Sequence, residues 1–69
     1  MKASIFVQII GKIDSKALWE IVEPYGVNLT DMGETSLVYG ECTLEQASEV
    51  IFYCTLFGDA MTEISLKAE

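Results

Sequence analysis

Two thiols, eleven carboxylates and four lysine amines are the groups in this 69-residue sequence that could carry chemistry, and neither histidine nor arginine is present. Acid–base work near neutral pH would therefore fall to a carboxylate or a lysine with a displaced pKa. The acidic residues are poorly arranged for it. Glu20 and Glu23, and Glu45 and Glu49, recur at the three- or four-residue spacing of a solvated helix face. Asp31 and Glu34 bracket a glycine, where turn chemistry accounts for both. Cys42 would act as a nucleophile only beside a cation that lowers its pKa, and no cation is near it in sequence. A thiol packed in the core is the simpler expectation. Iron–sulfur clusters need about four thiolates, and a Cys-x-x-Cys metal pair is absent. No catalytic residue, metal site or cofactor is expected.

Ligand chemistry gathers at one place, the stretch Gly11-Lys12-Ile13-Asp14-Ser15-Lys16. It combines a glycine, two lysines and the free amides that open a helix, a setting that can hold a small anion or a carboxylate at Gly11, Lys12, Asp14 and Ser15. Asp14 offsets part of that field, and either Asp14 or Ser15 is placed to cap the same amides.

The elements that must position these groups follow from hydrophobic periodicity. Ser4 to Ile10 is rich in β-branched and aromatic residues and ends at Gly11, which predicts a first strand. After Asp14, the residues Leu18, Ile21, Val22 and Tyr25 recur at helical spacing until Pro24-Tyr25-Gly26 closes the segment. Val27 to Met32 and Thr35 to Cys42 read as two strands joined by Gly33-Glu34, the short glycine-bearing link of a hairpin. Thr43-Leu44-Glu45-Gln46 fits a capping box, and Ala47, Val50, Ile51, Cys54 and Phe57 then form one stripe of a second helix that stops at Gly58. Met61 to Lys67 alternates, predicting a last strand, half buried and half wet, with Thr62, Ile64 and Leu66 on one side. The order βαββαβ predicts an α+β fold over residues 1–69 as a single domain, a ferredoxin-like sandwich with both helices on one face of a four-stranded antiparallel sheet whose central strands are the first and third.

That arrangement makes one face of the sheet unusual. If Ile5, Val7 and Ile9 point to the helices, then Phe6 and Gln8 point away, and on the third strand Leu37 and Tyr39 share the outward side with Glu41. With Met61 alongside, the open face carries an apolar patch, the kind of surface that marks a protein interface. Phe52, Tyr53 and Leu56 also widen the apolar stripe of the second helix, either as a broad core contact or as a second surface.

Aromatics on the two central strands resemble the base-stacking residues of RNA-recognition motifs. The net charge of -7 opposes that reading, because nucleic-acid affinity comes largely from cations that displace phosphate counterions. An anionic membrane surface is disfavoured on the same ground. Acylphosphatases share this layout but hold phosphate with arginine, which this chain lacks. The segment from Asp14-Ser15-Lys16 through Leu18 to Tyr25-Gly26-Val27-Asn28-Leu29 resembles ACT-type regulatory domains, with Lys16 and Ala17 standing where Pro-Gly is usual. The resemblance implies pairing of domains and a small ligand, an amino acid or anion, near Asp14, Ser15 and Asn28.

Cys42 and Cys54 are expected to lie too far apart to bridge, and the opening apolar run is interrupted by Gln8, so a strand in a cytoplasmic protein is expected rather than a leader. A chain this short builds only a thin core and gains from association. Taken together, the residues point to a non-enzymatic subunit that homodimerises or docks onto a larger protein complex through Phe6, Gln8, Leu37, Tyr39 and Met61. Small-ligand regulation at the loop is the alternative.

Overall fold

A computed structural model describes residues 1–67. Strand β1, Lys2–Ile10, alternates buried and outward residues along its whole length, with Ala3, Ile5, Val7 and Ile9 in the core. It starts earlier than the β-branched run suggests because Lys2 is already paired on both sides, with Thr43 and with Lys67. Helix α1, Ser15–Val22, is capped by Asp14, whose carboxylate accepts from the Ala17 amide at 3.1 Å, and it buries Leu18 and Val22. A single 3₁₀ turn over Glu23–Tyr25 begins with Pro24 and ends at Gly26, whose φ of 78° is the left-handed conformation that glycine adopts without steric cost.

Strand β2, Asn28–Asp31, is shorter than the apolar run predicted. Val27 is drawn out of it into the core against Gly40 of β3, Thr35–Thr43. A Cβ at Gly40 would stand 3.1 Å from the Val27 Cα, and the φ of 151° there also disfavours a side chain. Helix α2, Leu44–Phe57, opens with the expected capping box: Gln46 N–H donates to Thr43 Oγ1 at 3.2 Å, and Thr43 N–H donates to Gln46 Oε1 at 3.1 Å. Gly58 then leads directly into β4, Asp59–Lys67, which pairs with β1 from its first residue and so begins before Met61.

The strands form a four-stranded antiparallel sheet in the order β2-β3-β1-β4, so β1 and β3 are central. With two helices the fold is α+β. Ala3, Ile5, Val7, Ile9, Val38 and Cys42 from the central strands meet Leu18 and Val22 of α1 and Ala47, Val50 and Cys54 of α2 in one core, so both helices lie on the same side of the sheet. Ser36 is the polar exception, buried with an unpartnered hydroxyl.

The half-buried character predicted for β4 is not found. Only Ala60 keeps partial cover, and every residue from Met61 to Lys67 is exposed. Thr62, Ile64 and Leu66 do face the helix side, opposite Val7, Ile5 and Ala3, but α2 does not reach over them: Ile64 is 46% and Leu66 56% exposed.

Candidate interaction surface

Because β1 and β3 pair without a bulge from end to end, their alternate residues form aligned rows on the open face. Phe6 stands directly opposite Tyr39 on one side and Glu63 on the other. Gln8 stands between Leu37 and Met61. All five residues expected at an interface, Phe6, Gln8, Leu37, Tyr39 and Met61, therefore lie together on this face. Ile10 adds to them, and Phe6, Ile10 and Met61 are 42%, 46% and 65% exposed. Tyr39 leans toward β2, where its hydroxyl and Thr30 Oγ1 are 3.3 Å apart.

One end of the patch is polar. Lys67 Nζ donates to Glu41 Oε1 at 2.7 Å, bridging β4 to β3 across β1. That bond and the Lys67 charge, with a smaller contribution from the Lys2 charge, hold the Glu41 carboxyl below its ordinary pKa. The other end meets the β2–β3 hairpin, so a central apolar area is bordered by polar groups, as protein interfaces are.

The β1–α1 loop is put together differently from the ligand site its residues suggested. Gly11 N–H donates to the Glu34 carbonyl at 2.7 Å, and Asp14 is committed to capping. Ser15 Oγ donates at 2.7 Å to Asp31 Oδ2, while Asp31 Oδ1 accepts from the Gly33 amide at 2.8 Å. These two donors, Gly33 first, lower the Asp31 pKa and keep a carboxylate beside the start of α1, where an incoming anion would have to sit. Asn28 is not brought to this loop. It occupies the far end of β2 opposite Tyr39, on the open face. Asp31, sixteen residues from Ser15, takes the place beside the loop, and no local pattern announces a pairing at that separation.

Cys42 and Cys54 are free and buried. Desolvation raises the pKa of both thiols, that of Cys54 to about 11, which removes thiolate character at neutral pH. On the outer side of α2, Phe52 and Leu56 are exposed, and Phe52 packs edge-on against the half-buried Tyr53 with ring centroids 5.8 Å apart.

Among the described residues there is no cavity able to enclose a small molecule and no cluster of three or more metal-ligating side chains. No helix of the described residues is long and apolar enough to cross a membrane. No protein-family model matches the chain, and neither a curated protein nor a solved structure matches it significantly.

Proposed function

We propose that this protein is a non-enzymatic interaction subunit whose contact surface is the open face of its sheet, the partner being a second copy or a larger protein assembly. The observation that carries the reading is the alignment of Phe6, Tyr39, Leu37 and Met61 around Gln8 on the two central strands and β4, with Phe6, Tyr39 and Met61 exposed, Leu37 half-buried and polar groups at the border. A ferredoxin-like sandwich is the fold class we assign, and the order β2-β3-β1-β4 with both helices on one side supports it. An acidic surface without arginine or histidine favours protein over nucleic acid as partner. We place the work of such a subunit in the cytoplasm.

The test is photo-crosslinking in intact cells with a photoreactive residue substituted for Gln8, and, as control, for the exposed Glu20 on α1. The reading expects a defined protein adduct, with itself or with another chain, from position 8 and not from position 20. Equal or absent adducts at both positions would refute it.

A further inference from the structure

The two edges of the sheet are built differently. The β2 edge is four residues long, Asn28–Asp31, and ends in a carboxylate held by two hydrogen bonds, which suits an edge meant to stay unpaired. The β4 edge is nine residues long, has no proline, and keeps continuous register with β1 from Asp59 to Lys67, so its outer backbone groups are straight and open. It also exposes Ile64 and Leu66 on the side where α2 gives no cover.

We propose that the β4 edge pairs antiparallel with the β4 edge of a second copy, about a two-fold axis through Ser65, joining two four-stranded sheets into one. The register is selected by the side chains. Centred on Ser65, each Glu63 faces the partner's Lys67 on the open side, and each Ile64 faces the partner's Leu66 on the helix side, every contact occurring twice. Centring the axis on Glu63 sets Asp59 against the partner's Lys67, but it also sets the two Glu63 carboxylates against each other and each Ile64 against the hydroxyl-bearing Thr62. Centring on Ile64 leaves Glu63 facing Ser65 and Lys67 facing Met61, with no charge matched.

In a chain of net charge -7 two copies repel, and the Ser65 register sets a lysine against a carboxylate at both ends of the contact. Lys67 already spends one bond on Glu41, and in the dimer it lies between that carboxylate and the partner's Glu63. The four apolar side chains, Ile64 and Leu66 from each copy, fill the space beside β4 that α2 leaves open. This contact touches the open face only at its Glu63 and Lys67 margin, leaves Phe6, Gln8, Leu37 and Tyr39 accessible, and extends that face across both copies.

Sedimentation equilibrium of the full chain from micromolar to millimolar concentration tests it, with circular dichroism to verify folding. Wild type is expected to form dimers and no larger closed species. Glu63→Lys alone and Lys67→Glu alone each weaken dimerisation about tenfold or more, although the first reduces the net negative charge; combining them recovers most of the loss, short of the wild-type constant because position 67 then repels Glu41 of its own chain. A monomeric wild type, a wild type that pairs only with some other protein, or a dimer insensitive to both single reversals overturns the proposal. So does a dimer that Phe6→Gln dissociates and the charge reversals do not, an outcome that would relocate self-association to the open face and leave the proposed function standing.

Discussion

Phe6 and Tyr39 stand opposite each other at the centre of the sheet, on the side away from both helices, and 42% and 37% of their respective surfaces remain exposed. Three of the four residues that flank them in sequence, Ile5, Val7 and Val38, are almost wholly buried, and the fourth is Gly40. One pair of strands thus supplies a close-packed core on one side and an aromatic surface on the other, and the two should respond differently to substitution.

Phe6→Gln is expected to change folding stability by no more than about 1 kcal/mol, the scale of one exposed cross-strand pair, while abolishing the adduct formed from position 8. Ile9→Ala, on the buried side of the same strand, should cost about 2–4 kcal/mol. Urea unfolding of both variants checks the contrast. A Phe6 variant as damaged as the Ile9 variant would mean that the aromatic is structural.

Gly40→Ala should destabilise by about 1–3 kcal/mol despite its small volume, because it forces a methyl toward the Val27 backbone in a backbone conformation that favours glycine. Gly33→Ala, where nothing lies within 4 Å of the added methyl, meets the backbone term alone and should cost less. The urea midpoints rank the two.

Asp31 and Glu41 have folded-state pKa values below their ordinary 3.8 and 4.5. For a carboxylate depressed in this way the stabilisation is fully present above the ordinary value and is lost as pH falls through that value and on through the folded one. Asp31→Asn should therefore be less stable than wild type at neutral pH, and the two should converge as pH drops below about 4. A gap that stays constant down to acid pH would show that the Asp31 charge contributes nothing.

Cys54, with its thiol pushed up to about 11 and no exposure, should resist alkylation in the native protein, as should Cys42. Modification should follow global unfolding as denaturant is raised. Fast reaction of either thiol without denaturant would contradict their burial in the core.

The order of elements was legible because periodicity changes along the chain, from two in Ser4 to Ile10 to helical after Asp14, and because the Thr43–Gln46 capping box marks its helix locally. The outward set Phe6, Gln8, Leu37, Tyr39 and Met61 was legible for the same reason, since fixing one residue of a strand fixes the side of all the others. What depended on distance in sequence was not legible. The Ser15–Asp31 bond joins segments that only the fold brings together, and Asn28, assigned to that loop by resemblance, proves to lie on the other face. The exposure of Ile64 and Leu66 was hidden as well: alternation tells which side of β4 they take, but not how far α2 extends above them.

Met61 and Met32 are almost equally exposed, at 65% and 64%, but Met61 is on the open face and Met32 is in the hairpin. Hydroxyl-radical footprinting in intact cells, compared with the dilute purified chain, uses that match as an internal control. If a partner covers the open face, Met61 is oxidised several-fold less than Met32 in cells and about equally in dilute solution, with Phe6 protected alongside Met61. Equal oxidation of the two methionines in both settings, with Phe6 unprotected, would contradict that cover.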